Sequence, residues 1–394
     1  MYKEQSRIKT DLESNSCLSQ LSYQRAWVEI DHNALRHNVK AIKGILQPKT
    51  QLMAVIKADA YGHGAVNVAP TLLEAGCTSV AVATVTEGIQ LRKSGVNTPM
   101  IILGATPTPA EVKAIALWGL EPTLSSPEQA LLSSQVLQEL GVEVGVHLKL
   151  DTGMSRLGVP WYEGTNFASL VKTLPNLNIL SIYSHLATAD DPNPEVMRLQ
   201  QQRYQEATTQ LKSHGLTPLR LHLANSAATL TDSSLHYDLV RVGLALYGLY
   251  PAPHLRQVVS LRPVLEVKAR ITQVKTIPKG TGVSYGHQFI SDRPLPIAVV
   301  GIGYADGVPR NLSQKLKVLV RGQLIPQIGA ITMDQLMLDV SNIPDVQPGE
   351  VVTLLGRDGN LMISADDWAN TLGTISWEIL CGIKHRLPRI NKNL

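Results

Sequence analysis

The chain has 394 residues, is 44% hydrophobic and carries a formal net charge of +4. That length suits two domains with full cores, while so mild a charge, with both signs interspersed, argues against nucleic acid or an anionic membrane as partner. No apolar run approaches bilayer-spanning length, and the three cysteines, Cys17, Cys77 and Cys381, show neither metal-ligand nor disulfide spacing, which fits a reducing, cytoplasmic setting.

Residues 1–24 are polar and lack the apolar segment of a secretory signal, so they read as a mobile tail. Trp27-Val28-Glu29-Ile30 predicts a short strand. Asp31 is placed to cap the helix after it, whose Leu35, Val39, Ile42 and Leu46 share one face. The apolar run Leu52-Met53-Ala54-Val55-Ile56 predicts a buried parallel strand, and it ends in Lys57-Ala58-Asp59-Ala60-Tyr61-Gly62-His63-Gly64. A lysine pinned at a strand end can lose hydration and have its pKa lowered, which suits Schiff-base chemistry; taken alone, it is more readily a surface lysine before a turn. Tyr61 and the two glycines can serve an anion, by a phenol donor and by close approach of backbone.

Seven further strand-like runs follow, at 79–84, 99–104, 121–125, 143–150, 178–184, 219–223 and 238–242, with amphipathic segments between most of them, the clearest at 127–140. Eight such runs predict an α/β fold, a closed (β/α)8 TIM-type barrel with its site at the C-terminal strand ends. An open doubly wound sheet is the alternative, but it wants a GxGxxG loop after its first strand, and none occurs there. After residue 259 the texture changes to Val-, Ile- and Thr-rich segments broken by Pro and Gly, with one helical segment at 364–372. This predicts a smaller, mostly β C-terminal domain over 259–394, with the barrel over 25–258.

Strand-end residues carry the chemistry in such a barrel. Strand five runs into Lys149-Leu150-Asp151-Thr152-Gly153-Met154-Ser155-Arg156, where Arg156 either grips a carboxylate or pairs with Asp151. Strand six ends at His185, which by itself is more often a structural histidine. Strand seven gives His222-Leu223-Ala224-Asn225-Ser226, and strand eight Arg241-Val242-Gly243-Leu244. The Ser226 hydroxyl and the Gly243 and Leu244 amides fall where barrels bind phosphate. His63, His185 and His222 lack HxxxH or HExxH spacing, so no metal is expected.

The octet at 57–64 and the 149–156 segment closely resemble signatures of the alanine racemase family, and the likeness extends over roughly residues 25–390. The resemblance implies pyridoxal phosphate carried covalently by Lys57, with Tyr61, His185, Asn225, Ser226, Arg241, Gly243 and Leu244 around it. It implies that Arg156 contacts the substrate carboxylate, steadied by Lys149, which is carbamylated in some members. Arg241 would face the pyridine nitrogen, with His222 and His185 linking it to the second base. That base would be Tyr285, within the family's tyrosine motif Gly282-Val283-Ser284-Tyr285-Gly286, and Met333 and Asp334 would form a second contact loop. Tyr304 falls in the segment matching the access channel. His385 stands where the family commonly has tyrosine, which leaves the phosphate contact and channel width open. The implied activity is interconversion of L-alanine and D-alanine for peptidoglycan, in a homodimer with shared active sites. The alternatives are a broad-specificity amino-acid racemase and a non-catalytic pyridoxal-phosphate-binding barrel.

Overall fold

The computed structural model describes residues 25–216 and 220–394, so the tail expected over 1–24 lies outside the described residues. These divide into two compact units, 32–262 and 25–31 together with 263–394. The strands in chain order begin with β1 (Ala26–Asp31), which belongs to the second unit.

In the first unit, β2 (Gln51–Val55), β3 (Ser79–Val82), β4 (Met100–Ile102), β5 (Glu121–Leu124), β6 (Val144–Asp151), β8 (Leu177–Tyr183), β9 (Arg220–His222) and β10 (Leu239–Val242) pair in parallel in that order, with β10 returning to β2. Two amides bind β10 to β9: Asp238 N–H donates to Leu221 C=O and Arg241 N–H to Ala224 C=O, each at 3.0 Å. The barrel therefore closes, and all eight runs expected from the sequence form strands. β7 (Val159–Pro160) is an addition, two residues long and paired with the end of β6. Continuous burial from Leu52 to Ile56 is what a strand covered on both faces requires.

The helices begin and end where local chemistry dictates. Helix Pro127–Leu140 starts on Ser126, whose hydroxyl accepts from the Gln129 amide, and stops at Gly141 with φ +67°. The first helix spans His32–Lys43, so Leu46 lies beyond it, and Asp31 is the last residue of β1.

The second unit is built on β11 (Leu265–Ile277), which pairs with β1, with β14 (Leu295–Val300) and with β18 (Val351–Asp358). β15 (Lys317–Val320), β16 (Gln323–Ile328), β17 (Leu336–Asp339) and β19 (Leu361–Ile363) complete the sheet on one side, and β20 (Arg389–Lys392) on the other. A separate hairpin joins β12 (Gly282–Val283) to β13 (Phe289–Ile290). Ile277, Val283, Leu295, Ile297, Val299, Ile328 and Met337 form a buried apolar cluster beside it.

Two expectations are corrected here. β1 falls in the β unit rather than in a barrel domain over 25–258, because its two edges bind β11 and β20. Helix Ser376–Gly382 joins the expected one at Ala365–Leu372. No helix among the described residues is long and apolar enough to cross a membrane.

Candidate active site

Lys57 lies two residues past the end of β2, half-buried. The chain then does something its composition does not announce. Ala58, Asp59, Ala60 and Tyr61 all adopt left-handed helical angles, φ 51° to 55° and ψ 41° to 49°. Each such residue costs an L-amino acid roughly 1–2 kcal/mol, so the turn persists only because its surroundings fix it. Ala58 N–H donates to the Glu87 carboxylate at 2.7 Å, Ala60 N–H to Ile56 C=O at 2.9 Å, and Ala65 N–H to Asp59 Oδ1 at 2.7 Å. Glu87 went unremarked in the sequence; its capping box with Thr84 is the signal that could have drawn notice.

The turn brings Tyr61 against the end of β10. A Cβ on Gly243 would stand 2.5 Å from the Tyr61 hydroxyl, so only glycine allows that approach. Ser226 joins them, its hydroxyl accepting from the Gly243 amide at 3.0 Å; the amide expected as an open donor is thus engaged. Leu244 opens the short 3-10 turn that follows. Asn225 caps the helix beginning at Ser226, its side-chain oxygen accepting from Ala228 N–H at 3.0 Å.

Arg241 is buried at 3% exposure and donates in several directions: to Ser184 C=O at 2.7 Å, His222 Nδ1 at 2.9 Å, Leu223 C=O at 3.1 Å and His185 Nδ1 at 3.2 Å. Burial and the Arg241 charge hold both histidines well below the usual imidazole range. Lys149 is pushed down to about 8, first by burial and then by Arg241 and Arg156, against the pull of Asp151. Asp151 does not pair with Arg156; its carboxylate accepts from the amides of Gly153 and Ser155. The positive charges of Lys57, Lys149, Arg156 and Arg241 are all felt at His185.

The residues of the β unit occupy a different setting. Tyr285 stands at the tip of the β12–β13 hairpin, 73% exposed, beside an open cleft of about 880 Å³ lined by Val283, Ser284, Thr332, Gln335 and Met337. Tyr304 and Ala305 donate their amides to the carbonyls of Thr332 and Met333, each at 3.0 Å, so the two loops are zipped together. Asp334 pairs with Arg386 at 2.6 Å, and His385 is exposed next to it in sequence. Beneath them lies Asp306, fully buried, which the sequence did not single out. It takes a two-pronged pair from Arg25, at 2.6 and 2.7 Å, and the amide of Gly303 at 3.0 Å. Arg386 Nε stands 3.6 Å from it.

The barrel residues fit pyridoxal phosphate on their own chemistry. Four cations whose charges are all felt at His185, beside a glycine-backed hydroxyl pair, make a site suited to anions. A phosphate and a carboxylate are anions of the kind such a site would take. No group of three or more potential metal ligands occurs among the described residues.

Two family models match the chain, "Alanine racemase, N-terminal domain" over residues 30–251 and "Alanine racemase, C-terminal domain" over 264–391. An alanine racemase of Nostoc sp. is 62% identical over 369 residues, covering 93% of this chain and 96% of the relative. One from Synechocystis sp. is 62% identical over 367 residues, covering 93% and 99%. Among solved structures, the alanine racemase of Bacillus anthracis with bound L-Ala-P superposes with a TM-score of 0.89 at 36% identity, covering 94% of this chain and 96% of that one.

Proposed function

The chain belongs to the alanine racemase family, and we propose that Lys57 and Tyr285 divide between them the two faces of alanine's Cα. Members of this family are pyridoxal-phosphate-dependent isomerases that interconvert L-alanine and D-alanine, and this chain is one. A match to the second domain's model as well as the first sets aside the non-catalytic barrel. When bound, pyridoxal phosphate supplies an electron-withdrawing ring that acidifies the substrate's Cα–H bond.

Everything else falls to the chain's own residues. Lys57 holds the cofactor, and takes or returns the Cα proton on one face. Tyr61, Ser226 and Leu244 hold the phosphate, Gly243 backs the Ser226 hydroxyl with its amide, and Asn225 fixes the helix start from which Ser226 projects. Arg156 orients the substrate carboxylate, with Lys149 beside it. Arg241 is a donor only, so it would offer no acceptor to a protonated ring nitrogen and would not stabilise that form; this would temper the pull on electrons and favour return of the proton to Cα. His185 and His222 accept from Arg241 and keep its plane fixed. The observation that carries this reading is the convergence of four cations and a glycine-backed hydroxyl pair at the barrel's C-terminal strand ends.

Tyr285, Met333, Asp334, Tyr304 and His385 serve the site of a partner copy in a homodimer. Support comes from Tyr285 and Met333, large side chains left 73% and 53% exposed on loops that are otherwise tightly tied. The protein works in the cytoplasm, making D-alanine for peptidoglycan.

Incubation with L-alanine in heavy water should place deuterium at Cα and abolish optical rotation. A panel of other L-amino acids reports whether His385 widens the substrate range. Lys57→Ala and Tyr285→Ala chains, each inactive, should regain activity when mixed under conditions that exchange subunits, since one site of each mixed dimer then has both bases. No recovery despite demonstrated exchange would return Tyr285 to its own chain's site.

A further inference from the structure

Arg241 is one end of a polar belt that crosses five neighbouring strands inside the barrel. His222 Nε2 lies 2.8 Å from Ser181 Oγ, Ser181 Oγ 2.6 Å from His147 Nδ1, and His147 Nε2 3.0 Å from Glu121 Oε2. One residue comes from each of β5, β6, β8, β9 and β10. The register that sets His147 opposite Ser181 makes the middle of the belt possible. His222, Ser181 and His147 are 0%, 1% and 1% exposed. Barrel interiors are ordinarily filled with branched apolar side chains, and a buried polar layer is costly unless every member is satisfied.

This one is satisfied in a single direction only. A guanidinium can donate but not accept, so His222 Nδ1 must bear a lone pair toward Arg241. A neutral His222 then carries its proton on Nε2 and donates it to Ser181 Oγ. Ser181 O–H donates in turn to the lone pair of His147 Nδ1, so a neutral His147 carries its proton on Nε2, facing Glu121. A carboxylate accepts, so the far end agrees with the near one. Both rings are neutral in this scheme, as their burial favours, with Arg241 and Arg220 adding to the effect at His222.

We propose that Glu121, His147 and Ser181 are positioning residues for racemisation, which lock His222 in its Nε2–H tautomer and thereby keep an acceptor facing Arg241. Without the lock, His222 can present Nδ1–H to the guanidinium. Two donors then face each other, and Arg241 turns from its place. The inference rests on the role proposed for Arg241, but its first readout does not.

In holoenzyme labelled with ¹⁵N-histidine and assigned by single replacements, His222 and His147 should both appear as neutral Nε2–H tautomers. Ser181→Ala should turn the His222 signal into a mixture and lower kcat about tenfold, with KM for alanine unchanged. Glu121→Leu should do the same to His147, with a smaller loss in kcat. Glu121→Gln, which still offers a carbonyl to His147 Nε2–H, should keep both tautomers and restore kcat to within about twofold of wild type. A wild-type His222 protonated on Nδ1 would overturn the proposal. So would variants that lose thermal stability while keeping kcat, or a loss in Glu121→Gln as large as in Glu121→Leu. Failure of the wild type to racemise alanine would instead strike the proposed function and leave the tautomer result standing.

Discussion

The barrel and the β unit treat their functional side chains in opposite ways. In the barrel, Arg241, His222 and Lys149 are buried and bonded or charge-coupled to one another, so the electrostatics are built before any ligand arrives. In the β unit, Tyr285, Met333 and Tyr304 are 73%, 53% and 40% exposed, and it is the backbone beneath them that is fixed. A Cβ on Gly303 would stand 2.2 Å from Thr332 O, so the loops carrying Tyr304 and Met333 touch without a side chain between them. One half is precise because its side chains are locked. The other is precise because its loops are, while the side chains they carry stay exposed.

The largest effect that tests this contrast is at Lys57. Lys57→Ala should lower racemisation by about 10³-fold or more and abolish the visible absorbance of the bound cofactor, with little change in unfolding temperature. Activity and colour surviving dialysis against fresh cofactor would remove the barrel from the chemistry. Asp306→Ala comes next. It leaves Arg25 and Arg386 without their buried partner and should cost about 3 kcal/mol in urea unfolding, less than for a wholly buried pair because both arginines are part-exposed. A loss under about 1 kcal/mol would mean that the loops are held by their backbone bonds alone.

Lys149 gives a smaller effect with a definite sign. Its folded pKa, about 8, lies below its usual 10.5. Between those values the unfolded chain binds the extra proton, so stability should rise with pH across that window, by at most about 3 kcal/mol. Below about pH 8 both states are charged and the burial cost is felt in full. Lys149→Met should remove this rise; identical pH profiles for variant and wild type would show the ammonium to be well solvated. Ser226→Ala is the gentlest test. Losing one hydroxyl from the cradle should raise the Kd for pyridoxal phosphate about fivefold to tenfold, read by equilibrium dialysis, and an unchanged Kd would take Ser226 out of the phosphate site.

What could be read from the sequence follows the range of the forces involved. Runs such as Leu52–Ile56 announce themselves because a strand covered on both faces must be apolar throughout, and counting them gave the barrel. β1 shows the limit: Trp27-Val28-Glu29-Ile30 reads as a strand, but which sheet it joins is decided by β11, more than 230 residues away in the chain. Helix Ser376–Gly382 spans seven residues, too few for a periodicity to emerge. Spacing leaves Arg156 either to grip a carboxylate or to pair with Asp151; the nearby amides of Gly153 and Ser155 reach the Asp151 carboxylate instead. His147 and Ser181 were passed over because each lies inside an apolar run, where only the register of β6 against β8 brings them together.

The left-handed turn after Lys57 carries one further consequence. Its angles are the mirror image of an ordinary α-helical turn, the shape a D-amino acid takes without strain. Ala58 and Ala60 therefore bear a stereochemical mismatch inside the fold. A version assembled by chemical ligation with D-alanine at both positions should keep its backbone and gain roughly 1–2 kcal/mol per exchange, whereas L-valine at either should be excluded. The chain that trades one hand of alanine for the other holds two of its own alanines in the backbone shape of the opposite hand.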